Sequence, residues 1–228
     1  NVTTSNASAT FGNTANVIDS LGPISLGSGA FTLNNTVPLT STSTVGATGG
    51  ITLNNGGRTT INAGLAAGAG VIVLNATNAA DNAITLAGGA TTGGGLNLLA
   101  GNMLLSAGTM TLTGPLNISA GSVLTAGGTV ASGPTANVSG TFNLGGTTSS
   151  TFTNTNVLAG GTLNGVGTLT GNVNNSGSVS PGNSPGLITI TGNYIQSAAG
   201  TLNIEVGGST PGSGFDRLNV GGATTLNG

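Results

Sequence analysis

The sequence predicts an all-β fold in which short strands stack as the coils of a solenoid. Three observations predict it: a composition that disfavours helices, a short strand motif that recurs, and a repeat period of about 21 residues. The chain has 228 residues, of which 44 are Gly and only six carry charge. At about 20–22 residues per coil, it would form roughly 10–11 coils.

The composition disfavours helices throughout the chain. More than half of the residues are Gly, Thr, Asn or Ser, which are poor helix formers in the middle of a helix. Leu, Ile, Val and Phe still make up about a quarter of the chain, and the formal net charge is only −2. This balance favours a folded β-rich chain over a disordered coil.

The strand motif alternates apolar residues with small polar ones and ends in Asn or Gly, which favours strands of four to six residues. Gly and Asn tolerate the positive φ of a sharp corner, so each motif ends where a turn is expected. The motifs are FTLNN (31–35), ITLNN (51–55), VIVLNA (71–76), MTLTG (110–114), FNLGG (142–146), TLTGN (168–172), ITITGN (188–193) and TLNIEV (201–206).

The spacing of these motifs predicts one coil per repeat. One apolar residue per motif recurs at intervals of 20–23, and an Asn follows it directly in the first five repeats. In a solenoid these Asn side chains would stack at one corner, amide to amide, instead of merely facing solvent. The predicted Asn ladder consists of Asn34, Asn54, Asn75, Asn97 and Asn117.

Several kinds of chemistry are excluded by residues that are missing. The chain has no Cys and no His, which removes the usual zinc, haem, iron–sulfur, thiol and catalytic-triad sites. Its two basic residues, Arg58 and Arg217, cannot form a basic patch for nucleic acid. No apolar run reaches the roughly 20 residues of a membrane span. We therefore assign no metal, cofactor, nucleic-acid partner or membrane span.

The remaining candidates favour structure over catalysis. A glycosidase needs two carboxylates at one bond, but the four acids are scattered, so we predict no enzyme. Asp216, Arg217 and Glu205 are predicted to form a local ion pair, and Arg58 and Asp81 a second one across a coil step. The Gly-rich segment SPGNSPG lacks the Lys of a phosphate loop and is predicted to be a structural turn. It consists of Ser180, Pro181, Gly182, Asn183, Ser184, Pro185 and Gly186.

Pairs of Thr suggest a further alternative, an ice-binding solenoid. Such a function requires the pairs to recur once per coil on one face. The gaps between the pairs that begin at Thr109, Thr151, Thr168 and Thr189 are 42, 17 and 21. These gaps break the register, so the sequence favours ordinary outward-facing strand Thr.

The C-terminal third resembles the passenger-domain repeat of autotransporters and related large bacterial surface proteins. The matching parts are GTLNGVGTLTGNV (161–173), SPGNSPG (180–186), ITITGNY (188–194) and FDRLNV (215–220). The resemblance implies a right-handed parallel β-helix that is secreted or displayed on a bacterial surface. Proteins of this family are commonly adhesins or scaffolds, and some carry an enzyme domain.

Together these observations predict a structural protein with one continuous solenoid over residues 31–228. Residues 1–30 match no repeat and are predicted to be a cap or a strand exchanged with a neighbour. The low charge and the unpaired backbone of end coils predict head-to-tail association with other copies into filaments, or display as an adhesin stalk. Cell-surface or matrix glycans are further candidate partners. A carbohydrate-binding or polysaccharide-cleaving β-helix remains the main alternative.

Overall fold

The structure, a computed structural model, describes residues 2–77, 83–182 and 185–227. These residues form 27 strands and no helix. None of the described residues belongs to a helix that could cross a membrane.

The strands are short at both ends of the chain and longest between residues 129 and 175. The first nine are β1 (Val2–Thr3), β2 (Ala9–Phe11), β3 (Ser20–Leu21), β4 (Ile24–Ser25), β5 (Phe31–Asn35), β6 (Leu39–Ser41), β7 (Val45–Gly46), β8 (Ile51–Asn55) and β9 (Thr59–Ile61). The next nine are β10 (Leu65–Ala66), β11 (Val71–Ala76), β12 (Ala83–Leu86), β13 (Ala90–Gly93), β14 (Gly95–Ala100), β15 (Asn102–Leu105), β16 (Thr109–Leu112), β17 (Leu116–Ile118) and β18 (Val123–Ala126). The last nine are β19 (Thr129–Val138), β20 (Thr141–Val157), β21 (Thr162–Asn175), β22 (Ser178–Pro181), β23 (Leu187–Ile190), β24 (Tyr194–Gln196), β25 (Thr201–Leu202), β26 (Arg217–Val220) and β27 (Thr224–Leu226).

Each strand pairs in parallel with the equivalent strand of the next coil, which creates three sheets along the rod. Sheet A contains the whole strands β1, β4, β7, β10, β13, β16, β23 and β26. It also contains the start of β19 and the middle parts of β20 and of β21. Sheet B contains β2, β5, β8, β11, β14, β17, the ends of β19, β20 and β21, β24 and β27. Sheet C contains β3, β6, β9, β12, β15, β18, the starts of β20 and β21, β22 and β25. The prediction of an all-β parallel solenoid is confirmed.

The core is a narrow column of aliphatic side chains between the three sheets. Along sheet B, Phe31, Ile51 and Ile72 lie opposite one another in successive coils, and all three are fully buried. Two residues further along, Leu33, Leu53 and Leu74 form the next stack. Alternation of buried and half-exposed residues in strands such as β5 and β8 explains why the sequence motifs alternate.

The coils vary in length more than the sequence period indicated. Leu163 lies opposite Val179 in a short coil, whereas Tyr194 lies opposite Thr224 in a coil almost twice as long. The apolar residues whose spacing gave the period therefore do not form one stack. Leu74, for example, lies opposite Leu98 and not opposite Leu96. Corners accommodate most of the extra or missing residues, so the mean period predicts the fold but not each pairing.

Residues 2–25 pair with their own chain as the first coil. Val2 lies opposite Ile24, Ala9 opposite Phe31 and Ser20 opposite Thr40, all in parallel register. In this structure the segment is thus part of the solenoid, and the strands continue without interruption across residue 30.

Tyr194 places the only phenol of the chain inside the core. Its hydroxyl donates to Oε1 of Gln196 at 2.8 Å and accepts from Nδ2 of Asn175 at 3.0 Å. Burial raises the pKa of the Tyr194 hydroxyl above its ordinary 10.0, while the hydrogen bond from Asn175 acts in the opposite direction. The neutral hydroxyl is therefore the form that the fold favours.

This raised pKa predicts a loss of stability at alkaline pH. The folded pKa of Tyr194 exceeds the unfolded value, so its contribution is complete below about pH 10 and is lost as pH rises through the folded pKa. No Lys, Cys or His is present to titrate between about pH 9 and 12. We expect Tyr194→Phe to cost about 1 kcal/mol at neutral pH and to remove the alkaline loss. Urea unfolding at several pH values checks this, and an alkaline loss retained by the variant would contradict it.

Candidate functional site

Asparagine side chains stack along the edge of sheet B, each donating Nδ2–H to Oδ1 of the Asn in the preceding coil. The first ladder contains Asn34, Asn54 and Asn75, with N···O distances of 2.8 and 3.3 Å. The second ladder contains Asn97, Asn117, Asn137, Asn156 and Asn174, with distances of 2.7, 2.8, 3.1 and 2.9 Å. Each amide thus satisfies its neighbour, as in stacked cross-β amides.

The structure divides the predicted single ladder into two. The longer coil that follows β11 places Val73 opposite Asn97, and a register shift after Leu74 places Asn75 opposite Ala100, so the five predicted Asn residues do not form one stack. The sequence analysis also missed Asn137, Asn156 and Asn174. It followed only Asn residues that come directly after the recurring apolar residue of a motif. The spacing of 20 residues from Asn117 to Asn137 was the signal that would have found the continuation.

The SPGNSPG turn is held by Asp216, which lies in a later coil. Oδ1 of Asp216 accepts the backbone N–H of Gly186 at 2.8 Å, and Oδ2 accepts that of Glu205 at 3.0 Å. Asp216 is 4% exposed. The carboxylate therefore staples a turn to the following coil, a different role from the predicted ion pair with Arg217.

The other residues of that turn and the other charged residues lie at different places on the surface. Ser180 and Pro181 end strand β22, and Gly182 donates its N–H to the carbonyl of Gly165 at 2.6 Å. Three of the predicted residues lie outside the described residues: Asn183, Ser184 and Asp81. The predicted ion pair between Arg58 and Asp81 is therefore outside the described part of the chain. Arg217 and Glu205 are exposed. Within the described ranges no three acidic, His or Cys side chains come together as metal ligands.

The position of Asp216 predicts that its charge stabilises the turn. Asp216→Asn keeps the shape but turns an NH₂ group toward a backbone N–H, so we expect a loss of about 2 kcal/mol. Glu205→Gln is the matched control, and because that side chain is exposed we expect a change within about 0.5 kcal/mol. Urea denaturation of both variants measures this, and equal effects would contradict the staple.

Threonine and serine side chains align in two columns on the outer surface of sheet A, which corrects the sequence interpretation. The gaps of 42 and 17 arose because Ser149 replaces a Thr and Thr129 stands in the coil between. The columns follow directly from the strand register. In the first column Thr109 lies opposite Thr129, Ser149 opposite Thr168, and Thr168 opposite Thr189. In the second, Thr92 lies opposite Thr111, Thr111 opposite Ala131, and Thr151 opposite Thr170.

Comparison with protein-family models, curated proteins and solved structures finds no match to this chain. The functional argument therefore depends on the fold and its surfaces. Those surfaces are the two Asn ladders, the Thr/Ser columns and the first and last described coils. The Asn ladders and the Thr/Ser columns consist of repeated uncharged groups, which suit stacking and extended contacts.

Proposed function

We propose that this chain is a rod-shaped structural segment of an extracellular bacterial protein, serving as a scaffold or an adhesin stalk. The observation that carries the proposal is the continuity of three parallel sheets from the first described coil to the last. Parallel strands are about 4.8 Å apart, so the stacked coils extend about 50 Å. The extracellular and bacterial setting comes from the resemblance to passenger-domain repeats.

Hydrogen bonds between successive coils support a mechanical role for the rod. Each coil is bonded to the next through three strands and, over most of the rod, through an Asn amide. In a solenoid each repeat contacts only its neighbours, so stability grows with the number of stacked coils. Such a rod holds whatever it carries at a fixed distance from its attachment.

End-to-end joining of copies is the form of this function that the end coils favour. The first coil exposes Phe11 and Val17, which are 38% and 73% exposed, and the last exposes Leu226 at 59%. Among the described residues, the outer edges of β2 and β27 have no neighbouring strand. Edge strands of this kind pair readily with another chain, and a head-to-tail contact of unlike ends builds filaments.

A charge placed at the end coil tests this joining. We expect the purified chain to form larger species as concentration rises, and Leu226→Lys to abolish them, since Lys blocks edge pairing. The matched control is Leu104→Lys, because Leu104 has 39% exposure in the middle of the rod. Sedimentation velocity measures the sizes. A wild-type chain that stays monomeric at high concentration, or equal loss in both variants, would refute the end-to-end contact.

A second candidate function, ice binding, is favoured by the Thr/Ser columns of sheet A. Hydroxyl and methyl groups repeat about 4.8 Å apart between coils and about 6.7 Å apart along each strand. Two neighbouring hydroxyls, Oγ of Ser149 and Oγ1 of Thr170, lie 3.4 Å apart. The columns contain no charged residue. A regular uncharged lattice of this kind is a surface on which water can become ordered.

Ice growth in the presence of the purified chain tests the second candidate. Thr168 lies inside the columns, and Thr125 lies on sheet C between Leu104 and Asn143. We expect Thr168→Lys to abolish inhibition of ice recrystallisation and Thr125→Lys to retain it. Absence of inhibition by the wild-type chain would exclude this function and leave the rod unaffected.

A further inference from the structure

A groove lies beside the first Asn ladder, with a volume of about 310 Å³. We name it the amide groove, and it is defined by residues from four successive coils. These are Thr14, Asn34, Asn35, Thr36, Asn54, Gly56 and Thr77. The volume falls at the small end of the range for ligand sites, about 300–1,000 Å³.

The corner that follows sheet B creates the groove. The backbone N–H groups of Thr36, Gly56 and Thr77 each bond to a carbonyl of the preceding coil, so the three residues occupy the same position in successive coils. Gly56 has no side chain where its neighbours carry a hydroxyl. From Thr14 to Thr77 the groove crosses three coil steps, about 14 Å.

Groups along the groove retain hydrogen-bonding capacity. Nδ2 of Asn34 donates to the carbonyl of Gly12 at 2.8 Å, and Nδ2 of Asn54 donates to Oδ1 of Asn34 at 2.8 Å. An amide nitrogen has two hydrogens, so each Asn has a second donor. The Thr36 hydroxyl donates to the carbonyl of Asn16 at 2.9 Å and retains its acceptor lone pairs. Donors and acceptors thus alternate along the rod at the coil repeat.

The chemistry of the lining selects the kind of ligand. All seven residues are uncharged, six of them carry a polar side chain, and the chain as a whole has a net charge of −2. Phosphates and carboxylates would find no cation in the lining, and an apolar ligand would leave the amides without partners. A neutral polyhydroxyl chain both donates and accepts at regular intervals.

We propose that the amide groove binds an uncharged oligosaccharide that lies parallel to the rod axis. The Asn34 and Asn54 amides contact its hydroxyl groups, and the Thr36 and Thr77 hydroxyls contact it from the corner. The groove begins at Thr14 in the first coil and continues along the side of the rod to Thr77, so sugar binding and end-to-end joining are measured separately.

Amide NMR of the ¹⁵N-labelled chain tests the groove. The probes are maltose, cellobiose, lactose and diacetylchitobiose, each titrated into the millimolar range. We expect at least one probe to shift the side-chain amide signals of Asn34 and Asn54 in a saturable way. Asn54→Ala should abolish the shift at Asn34. Asn137→Ala should retain it, because Asn137 makes the same ladder bond to Asn117 far from the groove.

A second variant covers the case in which Asn54→Ala does not fold. Thr77→Val keeps the side-chain shape and removes one hydroxyl, so we expect about five-fold weaker binding. No shift with any of the four probes, or unchanged binding by Thr77→Val together with a shift that survives in folded Asn54→Ala, would overturn the proposal. Sedimentation of the same samples reports on end-to-end joining separately, so failure of one proposal is distinguishable from failure of the other.

Discussion

Gly171→Ala is expected to destabilise the chain by about 3 kcal/mol or more, whereas Gly160→Ala should cost only about 1 kcal/mol. Both glycines have positive φ, 109° and 80°, so the backbone strain of the two substitutions is similar. A Cβ on Gly171 would overlap the carbonyl oxygen of Phe152 in the preceding coil, while a Cβ on Gly160 has no atom within 4 Å. The difference between the variants measures how closely successive coils stack.

Urea denaturation followed by circular dichroism gives this comparison. The wild-type chain and both variants are measured under the same conditions, and the unfolding midpoints are compared because solenoids do not always unfold in two states. Equal midpoints for the two alanine variants would mean that the corner at Gly171 is open. The close coil-to-coil contact would then be wrong at that corner.

Phe142→Ala is expected to cost about 3–5 kcal/mol, the second large effect. Phe142 is fully buried and contacts Phe152 edge to face, with ring centroids 6.3 Å apart. The matched control is Phe11→Ala. Phe11 makes the same kind of contact with Phe31 at 6.2 Å but is 38% exposed. We expect the control to cost about 1 kcal/mol, because much of its ring is already in water.

Thermal and urea unfolding of the two Phe variants check this expectation. A thin core makes each large side chain important, since one coil alone buries too little to offset its loss of conformational entropy. If Phe142→Ala and Phe11→Ala lowered the midpoint equally, the central coils would be no better packed than the first one. That result would contradict a continuous core.

The sequence predicted the class of fold because local chemistry repeats in every coil. Motifs such as FTLNN and ITLNN became β5 and β8, with apolar residues inward and the ladder Asn on the outer face of the strand itself, not at the corner after it. The first ladder followed from the same spacing, since Asn34, Asn54 and Asn75 are 20 and 21 residues apart. Repetition makes each local preference agree with the global arrangement.

Pairings that depend on corner length were not predictable in this way. The longer coil between β11 and β14 places Asn97 opposite Val73 and so outside the first ladder, and no residue type marks that length in advance. The staple at Asp216 joins residues 30 apart, a distance that exceeds the mean period. The Thr/Ser columns were missed because Ser149 was not counted as a member. In each case the pairing is decided by how many residues a corner holds.

The proposed function makes the whole rod the functional unit. The Asn ladders, the apolar core and the Asp216 carboxylate all connect one coil to the next. These contacts explain how a chain with so few charged and aromatic residues holds an extended shape. The amide groove adds a place on the side of the rod where a neutral glycan would be held. A structural segment with such a groove would act as a rigid rod and would also attach to a surface that carries neutral glycans.

Electron microscopy of the purified chain at neutral pH tests the central claim most directly. The account predicts narrow unbranched particles about 50 Å long, and at higher concentration fibres whose length is a multiple of that unit. Compact particles of equal dimensions, at every concentration, would contradict a stacked rod and with it the structural function.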